Sequence, residues 1–504
     1  MCKLSNTRAT RKVVISGAGP AGLLCASLLL ARNKESDATI TYDVTLIDGR
    51  QDFGSLTKEE LSKSFRSWML ALANHGCDAL REVPTLYEEY VNGTGVKVEE
   101  LNIYLGKKRI TQTADEGEDI PEAFIVDRNF VVAAIARYMK DNHEKDDSFT
   151  PLYETNCMMV DYKNKQVLVR NNKTQEETYV PYDLLIGCDG VRSTVREALI
   201  KKHSNFACEI KDIFQEFKAV HVRRPKALSS KGMSLLPDIF KGFQGIALPE
   251  TGDLVNISMG APRHLFHSGG IDDELKSDDY KVVSKYIKEN FKPFELEDYD
   301  DFAKQWVNQR WNQTGMVHCN FYHSCESGIV IMGDAAHATS PSIGMGMNTA
   351  LRDAQVFNNL LKEHKDDLSK VLPSFSEARV KEGNSLTNLA YYLYSMDKTQ
   401  QTLETLHMVI RSSLHKKFPR LVSDHPANMI GVRGVSLSEV YDQATKLNII
   451  PKHRAMNDKV RNSYFEKSTG MVQDGSGKSS ATSTIIGVGA VIASIMIGYL
   501  HVQN

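Results

Sequence analysis

Cysteine is sparse in this sequence, and neither sign of charge is in excess. Eight cysteines are spread over 504 residues, and no two of them have Cys-x-x-Cys spacing. This pattern argues against a disulfide framework and predicts reduced thiols in a cytosol-facing compartment. The 61 Lys and Arg residues nearly balance 63 Asp and Glu residues, for a formal net charge of −2, so we expect no broad basic surface for nucleic acid. We also expect no secretory signal, because residues 1–12 lack an apolar segment.

The composition that is present is typical of a large globular protein. Hydrophobic residues make up 41% of the chain, which is enough to build buried cores. A chain of this length is expected to form about two to four domains.

The first segment that carries chemistry is a glycine-rich turn between a predicted strand and a predicted helix. Its Gly-x-Gly-x-x-Gly pattern is formed by Gly17, Gly19 and Gly22, with Ala21 before the last glycine. Glycines at this spacing allow a tight turn and a close approach to a diphosphate, which then faces the helix N-terminus. Asp48, followed by Arg50, ends the second predicted strand and is suited to bind a ribose hydroxyl. The pattern predicts a dinucleotide site.

Two later segments repeat the order of strand, acidic turn and helix. The first ends in Asp189 and Gly190, ahead of a helix start rich in Ser, Thr and Arg. The second contains Asp334, whose carboxylate can accept a hydrogen bond from a ribityl hydroxyl. It continues into a glycine-rich loop and a helix start, formed by Gly344, Gly346, Met347 and Asn348. Small residues at such a helix N-terminus let backbone N–H groups reach the edge of a flavin ring.

In this order and at this spacing, the three segments resemble the FAD-dependent aromatic hydroxylases, the single-component flavoprotein monooxygenases. The resemblance implies an α/β fold, with a Rossmann-like FAD-binding domain and an inserted antiparallel β-sheet substrate domain. It also implies FAD as cofactor, NADPH and O2 as co-substrates, and hydroxylation of an aromatic ring through a C4a-hydroperoxyflavin. Arg128 matches an arginine that similar enzymes place over the flavin or its diphosphate. We expect no catalytic side chain beyond the flavin and no metal site.

Local segments at residues 66–76 and 105–108 are similar to the branch of this family that converts L-kynurenine to 3-hydroxykynurenine. In that alignment the branch's carboxylate-binding arginine falls near Glu99, and its substrate tyrosine falls near Gln112. A glutamate would repel a substrate carboxylate by about 1 kcal/mol if solvated. The resemblance is therefore a better guide to the type of reaction than to the identity of the substrate. Asn348, Tyr392 and Tyr394 are the candidate substrate-binding residues, although so dense a group of aromatic residues is also typical of core packing.

Two other functions stay open at this point. One is a membrane-associated flavin epoxidase or hydroxylase that acts on a lipophilic substrate. The other is a non-catalytic, membrane-tethered FAD-binding protein. Two hypotheses are also open for His337, which follows Asp334 in the same turn. Its side chain either positions the flavin loop or forms a structural hydrogen bond.

The C-terminal region differs in composition from the rest of the chain. After Lys478 there is no Asp, Glu, Lys or Arg. A helix over residues 481–502 would be roughly 33 Å long, close to the hydrocarbon thickness of about 30 Å. We predict a single membrane anchor that leaves the catalytic body on the cytosolic side, with a buried core helix as the alternative. The resemblance implies the mitochondrial outer membrane, and the lack of basic residues after Leu500 leaves the endoplasmic reticulum open.

These signals divide the chain into six segments. We predict an FAD-binding domain that contains part of the substrate-domain insertion, the sheet of the substrate domain, a return to the FAD-binding domain, a helical region, a linker and the anchor. Their respective bounds are 12–205, 206–312, 313–362, 363–467, 468–483 and 484–501.

Overall fold

A computed structural model describes residues 8–468, except for 65, 66, 68, 106, 114–122, 213, 313, 314 and 397. The strands are β1 (Ala9–Ser16), β2 (Ile40–Ile47), β3 (Met69–Ala73), β4 (Gly95–Lys97), β5 (Glu100–Leu105), β6 (Lys108–Thr113), β7 (Ala123–Asp127), β8 (Phe149–Leu152), β9 (Thr155–Asp161), β10 (Gln166–Asn171), β11 (Glu177–Pro181), β12 (Leu184–Gly187), β13 (Cys208–Asp212), β14 (Gln215–Arg223), β15 (Gly232–Phe240), β16 (Phe243–Glu250), β17 (Leu254–Pro262), β18 (Gly315–Cys319), β19 (His323–Ser324) and β20 (Ile329–Ile331).

The helices are α1 (Pro20–Arg32), α2 (Lys58–Ser64), α3 (Asn74–Arg81), α4 (Arg128–His143), α5 (Thr194–Lys202), α6 (His264–His267), α7 (Tyr280–Asn290), α8 (Tyr299–Asn308), α9 (Asp334–His337), α10 (Gly346–Glu363), α11 (Leu368–Tyr392), α12 (Lys398–Lys417), α13 (Pro426–Met429), α14 (Leu437–Lys446) and α15 (Ile449–Ser468). Short 3₁₀ turns cover Phe53–Ser55, Asp273–Lys276 and Pro341–Ile343, and a π-helical turn covers Leu86–Val91.

The central sheet has the strand order β19-β20-β12-β1-β2-β8, and all its pairs except β19–β20 are parallel. Its apolar runs are continuous because a parallel sheet is covered on both faces; Val13, for example, pairs with Val44 on one side and Leu184 on the other. The chain leaves β1 towards β2, while β12 lies on the opposite side. A crevice forms at the carboxyl end of β1, as expected where strand order reverses. The expected α/β class is confirmed.

The second sheet has the order β14-β17-β16-β15-β5-β6 and is antiparallel except for the parallel pair β5–β15. One face packs against α7 and α8 through an aromatic core that contains the fully buried Trp306. The other face presents a small apolar cluster that includes Ile125 of β7 and Leu248 of β16. This second face therefore turns towards the short sheet β3-β7-β4. Strands β5 and β6 join this sheet from outside the predicted 206–312 segment.

Helices α11 to α15 form a helical region with its own apolar core, to which Leu389, Tyr392, Val440 and Ile450 belong. The seven cysteines in the described part of the chain are free thiols. The predicted anchor at 484–501 and nearly all of the predicted linker lie outside the described residues. Among the helices that the structure does describe, none is long and apolar enough to cross a bilayer.

Candidate functional site

A cavity of about 920 Å³ opens at the carboxyl end of β1 and extends towards the second sheet. Most of the predicted cofactor residues line it, namely Gly17, Gly19, Ala21, Asp48, Arg50, Arg128, Asp189, Gly190, Asp334, Gly344, Gly346 and Met347. Gly22 and Asn348 are not part of its lining. Three segments that are far apart in sequence thus meet around one space.

The glycines of the first turn have different structural roles. Gly17 has a φ of +105°, and a Cβ there would lie 2.2 Å from the carbonyl oxygen of Cys188. A Cβ on Gly22 would lie 1.9 Å from the carbonyl oxygen of Gly17, so this position holds α1 close to the turn. At Gly19 a Cβ would meet no atom within 4 Å. The space in front of Gly19 belongs to the cavity, so a ligand can come close to the backbone there.

Two helices begin at the cavity without a side-chain cap. The N-cap of α1 is Gly19 and that of α10 is Met345, and neither makes a side-chain cap hydrogen bond. The first N–H groups of a helix have no intrahelical partner and carry a partial positive charge. Both helix starts can therefore donate hydrogen bonds to an anionic or carbonyl-bearing ligand in the cavity.

Asp48 is held at the end of β2 by bonds within the protein. One oxygen accepts hydrogen bonds from the backbone N–H of Ala18 and from Nη2 of Arg50, at 2.7 and 2.9 Å. The other oxygen accepts from the backbone N–H and Nε of Arg50, at 2.8 and 2.9 Å. Burial alone would raise the pKa of Asp48, but the bonds and the charge of Arg50 lower it overall. Asp48 and Arg50 therefore form a fixed ion pair on the cavity wall.

Two charged groups in the cavity have hydrogen-bonding atoms that the described part of the protein leaves unused. The guanidinium of Arg128, at the start of α4, forms no hydrogen bond with another residue in the described ranges, and burial lowers its pKa. The negative charges of Asp334 and Asp127 raise this pKa, and the positive charge of Arg50 lowers it. Asp189 has one oxygen buried without a partner, and burial raises the pKa of its carboxyl. A half-buried guanidinium without a hydrogen bond and a carboxylate with one unsatisfied oxygen fit a ligand with phosphates and hydroxyls, as FAD has.

The loop around Asp334 is fixed from behind by a buried network centred on Asp353. This carboxylate accepts hydrogen bonds from the backbone N–H of Gly333 at 2.8 Å and from Nε of Arg379 at 2.6 Å. Nε2 of His337 lies 2.6 Å from the same carboxylate, and His337 is 1% exposed. This contact agrees with the second hypothesis for His337, a structural hydrogen bond. No role was predicted from the sequence for Asp353 or Arg379, although Asp353 is a single acid among the mostly buried residues of α10.

The structure does not bring the three predicted substrate residues to the cavity. Asn348 is fully buried, accepts a hydrogen bond from the N–H of Ala73 and donates one to the carbonyl of Ala71, at 2.9 and 2.8 Å. It therefore joins α10 to β3. Tyr392 belongs to the core of the helical region, and the partly buried Tyr394 packs against that core. Packing in that core, which the local sequence does not specify, determines their positions.

The wall that faces the second sheet is apolar. It is formed by Met69, Ala71, Ile125, Phe217 and Leu248, none of which the sequence analysis identified. The alternating pattern of their strands placed Phe217 and Leu248 in the predicted sheet, but it did not indicate which face of that sheet would line a cavity. Glu99 does not line the cavity. Its carboxylate lies 2.8 Å from Nζ of Lys231, and both side chains are about half exposed.

Comparison with known proteins agrees with this geometry. The sequence profile of the FAD binding domain matches residues 129–383, which is about half of the chain. The chain therefore belongs to the family of FAD-binding-domain proteins, and FAD is its cofactor.

Individual relatives define the class further. A violacein synthase from Chromobacterium violaceum is 26% identical over 298 residues, which cover 58% of this chain and 67% of that protein. A kynurenine 3-monooxygenase from Caenorhabditis elegans is 27% identical over 432 residues, which cover 82% of this chain and 86% of that protein. Klebsiella pneumoniae HpxO complexed with FAD and uric acid has the same fold, with a TM-score of 0.56, 16% identity, and coverage of 79% of this chain and 92% of that chain. The chain is a FAD-dependent monooxygenase of the aromatic hydroxylase type.

Proposed function

We propose that this protein catalyses the NADPH- and O2-dependent hydroxylation of a largely apolar aromatic substrate. The observation that carries the proposal is the two-sided cavity, which has unpaired polar groups on the side of the central sheet and an apolar wall on the side of the second sheet. When bound, FAD accepts electrons from NADPH and activates O2. A flat ring is suited to the apolar wall, because burying it there removes apolar surface from water.

The cofactor-binding roles of the lining residues form part of this proposal. Arg128 and the N-terminus of α1 would hold the diphosphate, and the N-terminus of α10 would face the flavin ring edge. Asp334 would accept a hydrogen bond from a ribityl hydroxyl. Asn348 and the Asp353 network would act indirectly, by fixing the loops that carry these groups.

Replacing Arg128 by Met is expected to weaken FAD binding by roughly 10- to 100-fold, because one charge-assisted hydrogen bond contributes about 1.5–3 kcal/mol. The measurement is a titration of the flavin-free protein with FAD, followed by flavin fluorescence. Arg137→Met is the matched control, since Arg137 lies on the same helix but donates to the carbonyl of Leu56. Equal affinities for the Arg128 variant and the unmodified protein would remove Arg128 from the proposed site.

The substrate class follows from the charges around the cavity. Among its described lining residues, the side-chain cations are Arg50, Arg128 and Arg192, and all three belong to the dinucleotide side. None of the five residues of the apolar wall can pair with a carboxylate. We therefore favour a ring without a negatively charged group. L-Kynurenine is the second candidate, favoured by the similarity to a kynurenine 3-monooxygenase over 82% of this chain.

A matched pair of compounds separates the two candidates. ortho-Aminoacetophenone has the aromatic amine and ketone of L-kynurenine but no amino-acid group. We expect its kcat/KM for hydroxylated product to exceed that of L-kynurenine by about 10-fold, which corresponds to about 1.4 kcal/mol for one unpaired carboxylate. Product must be measured together with NADPH oxidation, since an uncoupled flavin also consumes NADPH. Glu99→Gln should leave both values unchanged. Preferential turnover of L-kynurenine would favour the second candidate, and hydroxylation of neither compound would argue against the aromatic amino ketone class.

The membrane anchor is a further part of the proposal. We infer a single span at residues 484–501, because residues 485–500 are strongly apolar and no Asp, Glu, Lys or Arg follows Lys478. The mitochondrial outer membrane and the endoplasmic reticulum are its two candidate locations. The full chain should stay with membranes in alkaline carbonate, whereas a chain that ends at residue 480 should be released. Equal release of both chains would contradict the anchor.

A further inference from the structure

The helical region contains a cluster of imidazole and carboxylate groups that the flavin chemistry does not use. Glu404 and His407 are three residues apart on α12, so they share one face of the helix. His425 is the N-cap residue of α13. One ligand atom from each of these three residues lies within 4.8 Å of the others. His453 of α15 adds a fourth group, with Nε2 at 3.6 Å from Oε1 of Glu404.

The distances in this cluster match a metal site better than a set of hydrogen bonds. Nδ1 of His407 lies 3.5 Å from Oε2 of Glu404, and Nε2 of His453 lies 3.6 Å from Oε1. Charge-assisted hydrogen bonds are shorter, at about 2.7–2.9 Å. Ligands at about 2.0–2.1 Å from a tetrahedral zinc ion are about 3.4 Å apart. The distance from Nδ1 of His407 to Oε2 of Glu404 is therefore close to an edge of such a tetrahedron, whereas His453 lies at a similar distance from the other carboxylate oxygen.

Two of the histidines are buried with a ring nitrogen that lacks a partner. His425 and His453 are 5% and 0% exposed, and Nε2 of each makes no hydrogen bond within the described part of the chain. Oε2 of Glu404 is likewise buried without a hydrogen-bond partner among those residues. Buried polar atoms are normally satisfied, and several unsatisfied ones in one cluster fit the binding of a cation.

Other groups hold the side chains of this cluster in place. Nδ1 of His453 lies 3.1 Å from the carbonyl oxygens of Tyr392 and Leu393, which places the ring proton on Nδ1 and leaves a lone pair on Nε2. Gln400 donates a hydrogen bond of 2.6 Å to Oε1 of Glu404, which leaves Oε2 for the ion. Nδ1 of His425 accepts a long hydrogen bond of 3.2 Å from the N–H of Ala427; zinc binding at Nε2 would move the ring proton to Nδ1 and break this bond. The His407 side chain is 41% exposed and gives an ion a path from solvent.

We propose that Glu404, His407 and His425 bind one Zn²⁺ ion. Imidazole and carboxylate ligands suit zinc, and a water molecule would complete the tetrahedron. The ion would tie α12 to α13, while His453 of α15 faces the other oxygen of Glu404. No metal site was predicted from the sequence, because these ligands come from separate elements and include no cysteine. The site is independent of the flavin cavity.

The test is a calorimetric titration of the tag-free, chelator-treated full chain with Zn²⁺. We expect one equivalent to bind and to raise the midpoint of thermal unfolding. His407→Gln should weaken binding by about 100-fold, while His407→Cys should retain it, because a thiolate is also a zinc ligand. His415→Gln is the control, since His415 lies on the same helix outside the cluster and contacts the carbonyl of Val422. Far-UV circular dichroism and FAD content show that each variant is folded.

Two results would overturn the zinc site. One is the absence of saturable Zn²⁺ binding by the unmodified chain. The other is equal affinity in the unmodified chain and in His407→Gln, which would show that any bound zinc lies elsewhere. Loss of binding in both His407→Gln and His407→Cys would also count against coordination, because a ligand role predicts rescue by cysteine.

Discussion

Replacing Gly22 by Ala is expected to lower the free energy of unfolding of the flavin-free protein by about 3 kcal/mol and to abolish FAD binding. The added Cβ would lie 1.9 Å from the carbonyl oxygen of Gly17, and this neighbour is backbone in a turn with φ of +105°. The clash can be relieved only if α1 moves away from β1. Chemical denaturation of the flavin-free protein and the molar ratio of FAD to purified protein are the two measurements.

Gly19→Ala is the matched comparison, since the two glycines belong to the same turn. A Cβ at position 19 meets nothing within 4 Å, so the unfolding free energy of the flavin-free protein should change by less than about 0.5 kcal/mol. FAD binding should still weaken, because the methyl group occupies the space in front of the backbone. If Gly19→Ala keeps full FAD affinity, the diphosphate does not approach this turn. If Gly22→Ala is as stable as the unmodified chain, the stability does not depend on the close approach of α1 to the turn at Gly17.

Replacing Asp353 by Asn is expected to lower the free energy of unfolding by about 3–5 kcal/mol, because Arg379 is left as a buried charge without a counter-ion. Asp353 is fully buried and Arg379 is 6% exposed. Glu363→Gln is the control on the same helix, because Glu363 is exposed and should change the stability by less than about 0.5 kcal/mol. Urea denaturation at neutral pH measures both. A change below about 1 kcal/mol for Asp353→Asn would contradict a stabilising network.

The same carboxylate predicts part of the acid sensitivity of the protein. Burial alone would raise the pKa of Asp353, but the charges of His337 and Arg379 and the hydrogen bonds from His337 and Gly333 lower it to about 2. A depressed folded-state pKa gives stability that is present above the unfolded-state value and is lost as the pH falls towards the folded-state value. The unmodified chain should therefore lose about 2 kcal/mol between about pH 4 and pH 2 that Asp353→Asn does not lose. Identical pH profiles would contradict this assignment.

The parts of the cofactor site that the sequence predicted are those encoded by short-range geometry. In the turn after β1, glycine spacing, a preceding apolar strand and a following helix all occur within a few residues, and each constrains the backbone directly. The segments around Asp189 and Asp334 are of the same kind. All three motifs lie at strand ends of one parallel sheet, so their predicted convergence follows from the topology.

The substrate side could not be predicted in the same way. Asn348 follows the glycine-rich loop directly, and yet its amide turns to β3, a strand that lies 275 residues away in the chain. Tyr392 is positioned by the packing of α11 against α15, which the helical pattern of either segment does not specify. The apolar wall combines β3, β7, β14 and β16, and the sequence of each strand leaves open which of its faces meets the others.

The sequence alone determined that this protein has the three strand–turn–helix motifs of an FAD site, because glycine, aspartate and helix-start preferences act over a few bonds. Only the tertiary structure decided which side chains line the apolar wall, which acid anchors the loop of Asp334, and that Glu404 lies beside His425 and His453. Those contacts join residues that are remote in the chain, and their energies come from burial and charge pairing, which exist only once the elements have packed.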